Sequence, residues 1–278
     1  MYYVIQENLF REHHFTTLTS FLTRHGFEYE IVKYRPFEDP VVKTDRKDVW
    51  IFGSFNMGFK LKDRAWSPGL IYDADKFNFD RYLDNYGEHL LNSDGKTARI
   101  DYIYGWNDPH QEYFIRPTHD TKTFESNVYN RRQWYEYMEE VYKNGTIGDI
   151  RNQTRMFWCA PKGGIQQEIR CWVVDGKMVT CSQYRIGRRV NMLNMDHASD
   201  IPIFVRDMCK IYQPARAFCM DICLYNDEYK IVELGCIHHC GFYDANMGKL
   251  IESLENTFGY GLSSRFFKAD APEATDRG

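Results

Sequence analysis

The segment QQEIRCWVVDGKMVTCSQYRI, residues 166–186, predicts a β-hairpin. Gln166–Val174 has the composition of a strand, Asp175-Gly176 suits a tight two-residue turn, and residues 177–185 have the composition of the returning strand. This part of the chain is therefore expected to form antiparallel sheet.

The hairpin is expected to carry two arginines and a glutamate on one face. Side chains alternate between the two faces of a strand, so Glu168 and Arg170 share a face. With a two-residue turn, Arg185 is expected opposite Gln166 and therefore on that same face.

A second hairpin is predicted by MDICLYNDEYKIVELG, residues 220–235. The apolar residues of its two strands coincide only if the loop has an odd length, and the three residues Asn226-Asp227-Glu228 satisfy this condition. The same register puts Asp221 directly beside Glu233. Two ionised carboxylates at that distance repel each other unless a cation lies between them, whereas a solvated edge with both groups hydrated is the alternative.

Together the hairpins bring two cations and two anions toward one surface. Arginines bind phosphate oxygens in a bidentate manner, and carboxylates are ligands of Mg²⁺. This combination indicates an enzyme that uses ATP.

Composition restricts the other function classes. The chain has 278 residues, 43% hydrophobic residues and a formal net charge of −4, enough for one large domain or two to three small ones. The charge argues against non-specific nucleic-acid or membrane binding, although it does not exclude nucleic acid altogether. We find no signal peptide and no apolar run long enough for a bilayer, and eight cysteines without a compact framework favour reduced thiols in a cytoplasm.

The chain is expected to fall into three parts, and the first has the order strand, helix, strand, strand. That order predicts a parallel sheet with a right-handed crossover. Gly53, Gly58 and Gly69 indicate a loop after it. The remaining strands are expected near residues 100–104, 112–116 and 155–159, and the helices near 15–26, 79–90, 134–145, 203–212 and 249–256.

Six short motifs occur in an order that resembles an ATP-grasp domain, and more narrowly the largely phage-associated clade named for an arginine and two lysines. The resemblance covers about residues 112–243. It implies an α+β ATP-grasp fold with an N-terminal α/β pre-ATP-grasp domain (1–95), a central subdomain (96–161), a C-terminal subdomain (162–268) and a polar tail (269–278). The motifs are Tyr-Phe-Ile-Arg116-Pro117, Asp120-Thr-Lys122-Thr-Phe, Glu168-Ile-Arg170-Cys-Trp-Val-Val-Asp-Gly-Lys, Ser-Gln-Tyr-Arg185, Met-Asp221-Ile and Ile-Val-Glu233-Leu.

The resemblance implies a nucleotide site. Arg116 would lie at a strand end against the phosphates, and Lys122 would lie in the loop that covers them. A hinge would run beside adenine and offer backbone hydrogen bonds together with the Trp158 ring. The hinge residues are Phe157, Trp158, Cys159 and Ala160.

It also implies the catalytic groups. Arg170 and Arg185 would neutralise the transferring phosphoryl group, while Asp221 and Glu233 would bind Mg²⁺ (or Mn²⁺). Glu168 would either hold Arg170 in place or reach the substrate amine.

One position departs from the clade. Members usually carry an asparagine two residues after the metal-binding glutamate, where this chain has Gly235. Compensation by Asn246 or His238, a single loosely bound Mg²⁺, and slow or lost turnover are the alternatives. The following Gly241-Phe242-Tyr243 does match the clade.

The function implied is an ATP-dependent carboxylate–amine ligase acting through an acyl phosphate. The substrates would be small-molecule or peptide carboxylates and amines, in a cytoplasm (that of a phage-infected host if the clade resemblance holds). An ATP-binding protein without ligase turnover and a non-enzymatic partner-binding module are the alternatives. The oligomeric state does not follow from the sequence.

Three further features have ordinary explanations. Cys236-Ile-His238-His239-Cys240 contains zinc-ligand residue types, but its spacing matches no closed zinc site. The pairs Arg131-Arg132 and Arg188-Arg189 suit solvated surface, with contact to an acidic substrate as the alternative.

Overall fold

The computed structural model describes residues 1–9, 11–35, 37–99, 106, 108–120, 124–143 and 155–259. Within them the chain divides into two compact units. One comprises Met1–Ile71 and the described residues from Ala245 onward, and the other comprises Tyr72–Asp244. The functional domain limits at residues 95, 161 and 268 stay predictions. The strand expected at 100–104, Lys122, Gly145 and the tail lie outside the described residues.

Twelve strands and six α-helices lie in the described residues. The strands are β1 (Tyr2–Gln6), β2 (Tyr29–Val32), β3 (Val49–Phe52), β4 (Lys96–Arg99), β5 (Glu112–Pro117), β6 (Asn127–Asn130), β7 (Arg155–Cys159), β8 (Ile165–Val174), β9 (Lys177–Ile186), β10 (Arg189–Asn194), β11 (Ala217–Tyr225) and β12 (Glu228–Cys236). The helices are α1 (Glu12–Arg24), α2 (Phe55–Leu61), α3 (Phe79–Tyr86), α4 (Arg131–Lys143), α5 (Ile201–Ile211) and α6 (Met247–Phe258). None of these helices has the length and apolar content of a membrane span.

The first unit contains a three-stranded parallel sheet in the order β2-β1-β3. All four residues of β3 are buried although β3 is an edge strand, which indicates that both faces of this parallel sheet are covered. Helix α6 belongs to this unit and has Leu250, Ile251 and Leu254 fully buried. The Tyr3 hydroxyl of β1 donates to Glu255 of α6 at 2.7 Å. The predicted strand–helix–strand crossover is confirmed.

The segment after β3 was expected to be a loop, and this prediction is wrong because α2 lies there. The Ser54 side chain accepts a hydrogen bond from the Met57 N–H at 3.3 Å and caps the helix. Gly58 lies inside the helix and is buried, so it serves packing and does not break the helix. Strands β6 and β10 were not foreseen from the sequence either.

The second unit contains two antiparallel sheets. One has four strands in the order β4-β7-β5-β6, and the other has five in the order β10-β9-β8-β11-β12. An aromatic core between the four-stranded sheet and α4 includes Tyr113, Trp134 and Trp158. Both predicted hairpins, β8–β9 and β11–β12, are present in the five-stranded sheet.

The first hairpin has the expected turn but a different register. Asp175 and Gly176 form a two-residue turn with φ of 48° and 72°. Two bulges then each insert one extra residue in β9, so Arg185 lies opposite Glu168 and the expected pairing with Gln166 is wrong. Each one-residue shift moves the following side chains to the other face of the sheet, so two shifts return them to the original face. Arg185 therefore stays on the face of Arg170.

The second hairpin reaches the expected register by another route. Asn226 and Asp227, with φ of 52° and 62°, form a two-residue turn, so the expected three-residue loop is wrong. A bulge at Val232 supplies the missing residue, and Asp221 pairs directly with Glu233 as predicted. The sequence indicated that one extra residue was needed to bring the apolar side chains to one face, but not that this residue lies in the strand.

Candidate functional site

A row of four polar side chains crosses the five-stranded sheet. Ser182, Arg170, Asp221 and Glu233 lie directly opposite one another on the successive strands β9, β8, β11 and β12. Opposed residues of antiparallel strands share a face. Polar residues thus fall at one position of four apolar strands and form a continuous row on the sheet.

The Arg170–Asp221 pair lies at the centre of this row. Arg170 Nε and Nη2 each donate to one Asp221 oxygen at 2.7 Å, and the two side chains are only 12% and 5% exposed. Burial raises the pKa of Asp221, and the charges of Glu233 and Glu168 act in the same direction. Burial alone would lower the pKa of Arg170, but the Asp221 carboxylate outweighs it, so the arginine stays charged.

Glu233 pairs with an arginine from the other sheet. Arg116 Nη2 of β5 lies 3.0 Å from a Glu233 oxygen, and Arg116 is 7% exposed. The guanidinium of Arg116 also stacks over the Phe79 ring at 5.0 Å. The two sheets of this unit therefore meet at an ion pair between two of the expected site residues.

Glu168 forms the third pair. Its two oxygens accept from Arg185 Nη1 and from the Tyr184 hydroxyl, each at 2.8 Å. The Tyr184 ring stacks on Tyr243 at 5.0 Å, and Tyr243 in turn lies under the Arg170 guanidinium at 4.9 Å. Glu168 was expected to hold Arg170 or to reach the substrate amine. It pairs with Arg185 and not with Arg170, because the bulges set Arg185 opposite it, and its contact with the substrate amine stays a prediction.

The members of all three ion pairs line one pocket of about 340 Å³. An adjoining pocket of about 380 Å³ shares Glu168 and Arg185 with it and has more apolar walls. The polar pocket is lined by Asn92, Phe114, Arg116, Ser126, Glu168, Arg170, Tyr184, Arg185, Asp221, Val232, Glu233 and Tyr243. The apolar walls of its neighbour include Leu91, Phe114, Pro161, Ile165 and Val232.

The expected hinge residues differ in where their side chains lie. Phe157 is opposite Arg116 and its ring contacts Phe79 at 4.2 Å, whereas Trp158 faces the other side of the sheet. Trp158 packs there against Tyr113 at 4.9 Å. The Trp158 ring thus belongs to the aromatic core and lines neither pocket, and its contact with adenine stays a prediction.

The rest of the hinge lies beside the second pocket. Cys159 pairs with Phe114 of the pocket wall, and burial raises the pKa of its thiol to about 12, which favours the neutral thiol over the thiolate. Ala160 is exposed and leads into Pro161 and Lys162, which line the second pocket.

Neither residue considered as a substitute for an asparagine at 235 lines these pockets. The Asn246 side chain caps α6 by accepting from the Lys249 N–H at 3.1 Å, and His238 is fully buried. A Cβ at Gly235 would lie 3.1 Å from the Cys240 sulfur. Cys240 thus occupies the space into which a side chain at 235 would extend.

The carboxylates fit a metal that binds together with a substrate. Within the described part of the chain no group of three or more His, Cys, Asp or Glu side chains could hold a metal ion. Mg²⁺ is usually bound by one or two carboxylates together with substrate phosphates, and not by a protein cage. Asp221 and Glu233, adjacent on one face, are a donor set of this kind.

Sequence reasoning missed several lining residues. Asn92 and Ser126 belong to no motif, and their parts of the chain offer no local signal, whereas Phe114 lies in the motif Tyr-Phe-Ile-Arg116-Pro117 but was given no role. Tyr184 adjoins Arg185 in sequence, and a signal for Tyr243 existed in the segment Gly241-Phe242-Tyr243.

Comparison with known proteins places this geometry in context. The chain is similar to the D-cycloserine synthetase DcsG, with a TM-score of 0.57, 11% identity and coverage of 92% of this chain and 98% of that one. It is similar to the D-alanine–D-alanine ligase of Bacillus anthracis complexed with ATP, with a TM-score of 0.54, 11% identity and coverage of 92% of this chain and 97% of that one. It is also similar to the ATP-grasp ligase PsnB complexed with precursor peptide PsnA2 and AMPPNP, with a TM-score of 0.50, 12% identity and coverage of 92% of this chain and 96% of that one. At these identities the similarity concerns the fold.

Comparison with curated protein sequences gives no match. The model of an ATP-grasp domain family, the third family of the clade named for an arginine and two lysines, matches residues 55–254. This match confirms both the resemblance inferred from the motifs and the α+β ATP-grasp fold. The chain therefore belongs to the third family of that ATP-grasp clade.

Proposed function

We propose that this protein is an ATP-dependent carboxylate–amine ligase that forms an amide through an acyl phosphate. The observation that carries the proposal is the row of Arg170, Asp221 and Glu233, with Arg116 and Arg185 in the same pocket. Three arginines and three carboxylates in a space of about 340 Å³ suit a metal-bound polyphosphate better than a neutral ligand.

The nucleotide would extend over both pockets. Adenine and ribose would lie between the apolar walls, beside the backbone of residues 157–160, and the phosphates would reach the polar pocket. Val232 and Glu233 are neighbours in the chain, and Val232 lines both pockets while Glu233 lines the polar one. In this proposal residues 96–161 form the central subdomain, residues 162–268 the C-terminal subdomain, and Lys122 covers the phosphates.

Binding of the substrates would exchange the ion pairs. Asp221 and Glu233 would hold Mg²⁺ (or Mn²⁺), which supplies positive charge for phosphoryl transfer. Arg170 and Arg116 would then lose their carboxylate partners and turn to phosphate oxygens. Nucleotide and metal are therefore expected to bind together, because each takes up the groups that the other leaves unpaired.

The reaction would take place in two steps. A substrate carboxylate oxygen attacks the γ-phosphorus and ADP leaves, which turns a poor electrophile into an acyl phosphate. An amine nitrogen then attacks the carbonyl carbon, inorganic phosphate leaves, and the nitrogen loses a proton. Arg170 and Arg185 would stabilise the charge of the transferring phosphoryl group.

The structural relatives point to two classes of substrate, small molecules and peptides. The structural relatives include an enzyme named for D-alanine and a ligase complexed with a precursor peptide. This range supports a small-molecule or peptide carboxylate and an amine as substrates here.

A second function is an ATP-binding protein without ligase turnover. The observation in its favour is the Cys240 sulfur, 3.1 Å from where a Cβ at Gly235 would lie, because it crowds the position two residues after Glu233 where a further side-chain ligand would extend. A partner-binding module would bind no nucleotide at all. Phosphate release in the presence of an added amine distinguishes the first function from the second.

The test of the site is nucleotide-dependent thermal stability. ATP is expected to raise the melting temperature only with Mg²⁺ or Mn²⁺, since a ligand of the native state stabilises it by mass action. Asp221→Asn and Glu233→Gln should remove most of this shift. Asp175→Asn is the matched control, because Asp175 also forms a bidentate pair with an arginine, Arg216, at 2.8 Å, but on the surface. A full shift in both site variants would contradict the assignment.

A further inference from the structure

The five-stranded sheet has one covered edge and one open edge. At the β12 edge Leu90 bridges to Ile231, and the Leu91 N–H donates to the Ile231 carbonyl at 2.9 Å. At the opposite edge, in the described part of the chain, no further strand pairs with β10. An uncovered edge strand presents backbone groups with which another extended chain can pair.

Apolar side chains surround this open edge. Ile186, Val190 and Leu193 are 48%, 68% and 49% exposed. Proteins usually protect an open edge with charged residues or bulges, and β10 has one arginine, Arg189, and a register shift between Val190 and Leu193, yet large apolar side chains stay exposed beside them. The edge therefore has the composition of a binding surface.

The same surface is basic. Arg188 lies in the turn between β9 and β10, Arg189 begins β10, and both are exposed. Among the described residues neither has an acidic partner, in contrast to Arg185, which is paired with Glu168. Two exposed cations beside apolar side chains complement a ligand that is acidic and partly apolar.

This edge is continuous with the polar pocket. Val190 lies directly opposite Arg185, and Arg185 lines the pocket that also holds Arg170 and Asp221. Further along β10, Asn194 lies opposite Ser182, the first member of the polar row. A chain lying along β10 would start at the rim of the pocket.

We propose that the β10 edge binds an acidic peptide in extended conformation, as an added strand, and delivers a carboxylate of that peptide to the pocket. The fate of the carboxylate rests on the ligase function proposed above, whereas the docking itself needs no turnover. Strand addition takes its affinity from backbone hydrogen bonds and its specificity from alternate side chains. Glutamate or aspartate side chains would meet Arg188 and Arg189, and apolar ones would cover Val190.

A peptide fits this edge better than a nucleic acid does. Nucleic acids are bound by broad basic surfaces, and this chain carries a net charge of −4. The three exposed apolar side chains beside the arginines would contribute nothing to the binding of a phosphate backbone.

The first test is binding without nucleotide. The probe is a fluorescein-labelled octapeptide that alternates glutamate with valine, measured by fluorescence anisotropy at about 0.1 M salt. The double variant Arg188→Ala/Arg189→Ala is expected to weaken binding about tenfold or more. Arg131→Ala/Arg132→Ala removes the same charge from an exposed arginine pair on α4 and should leave binding unchanged.

The second test separates strand addition from charge attraction. The same octapeptide with N-methyl groups on alternate amides keeps its charge but loses half of its backbone donors, and it should bind at least tenfold more weakly. Equal binding of the methylated peptide would overturn strand addition. Tighter binding of a 20-nucleotide poly-dT, or an unchanged affinity in the Arg188/Arg189 variant, would overturn the peptide assignment.

The outcomes also separate this inference from the proposed function. The Arg188/Arg189 variant should keep the full Mg²⁺-dependent thermal shift with ATP, because neither residue lines the pockets. A normal thermal shift with ATP in a protein that does not bind the peptide would contradict the docking site alone. Peptide binding in a protein whose melting temperature does not shift with ATP would contradict the ligase function and support the docking site.

Discussion

Arg170 carries a charged side chain in a strand whose neighbouring residues are buried, two features that ordinarily conflict. Its neighbours Ile169 and Cys171 are fully buried, and the strand needs apolar residues on that face. On the other face a charged side chain 12% exposed is tolerated only because both Asp221 oxygens accept from it. The pair that keeps a charged Arg170 in the sheet is thus also the pair that a metal-bound phosphate would separate.

The role proposed for the two hairpin arginines predicts a defect in turnover. Arg170→Ala and Arg185→Ala should each lower phosphate release about a hundredfold or more, the usual effect of losing a group that stabilises charge in the transition state. ATP affinity should fall much less, because such groups act mainly on the transition state. Lysine at either position should rescue only part of the rate, since it lacks the bidentate fork.

The assay is phosphate release with the acceptor substrate, or the slow substrate-independent hydrolysis of ATP. Arg216→Ala is the control, because Arg216 also binds an aspartate in a bidentate manner but lies on the surface. If both site variants turn over like the parent, the hairpin face is structural and the proposed mechanism fails.

The buried and the surface arginine pairs predict a difference in stability. Arg170→Ala leaves the buried Asp221 without its partner, which should lower the free energy of unfolding by about 3–5 kcal/mol. Arg216→Ala breaks a surface pair with Asp175 and should cost at most about 1 kcal/mol. Urea denaturation without metal at neutral pH measures both. Similar losses in the two variants would mean that Asp221 is solvated and that the pair is not buried.

At the scale of elements, alternation along the strands was enough to predict which residues share a face. Glu168, Arg170 and Arg185 were placed together from alternation and one turn, and the structure keeps them together although three bulges lie in the two hairpins. Bulges have no local signal in these strands, because Val179 and Val232 suit a regular strand equally well. Register, the Glu168–Arg185 pairing and the contribution of Tyr184 therefore could not be predicted.

Gly235 offers a test at this scale. A Cβ there would lie 3.1 Å from the Cys240 sulfur, closer than most real contacts. Gly235→Ala is expected to destabilise the protein by about 1 kcal/mol, because overpacking a closed space forces its neighbours apart. Cys240→Ala removes the sulfur, so the double variant should recover that loss. Chemical denaturation of the four proteins gives the coupling energy, and strictly additive effects would show that Cys240 does not limit position 235.

At the scale of the whole molecule, the sequence indicated the kinds of structure but not how its distant parts combine. The strand–helix–strand start and both hairpins followed from local pattern. By contrast, nothing local indicates that α6, at the other end of the chain, joins the sheet of β1–β3, since that depends on contacts such as Tyr3 with Glu255. Arg116 meets Glu233, far along the chain, for the same reason.

The division into two units predicts that a defect in one core loosens that unit alone. Leu254→Ala in α6 and Leu234→Ala in β12 each remove a fully buried side chain and should cost about 2–5 kcal/mol. Leu254→Ala is expected to raise amide hydrogen exchange in β1–β3 and to leave β8–β12 near the parent rates, whereas Leu234→Ala should do the reverse. Each variant is therefore the matched control of the other. Exchange that rises in both regions in both variants would mean that the chain unfolds as one cooperative body, because only independent units confine a lost packing contact to their own strands.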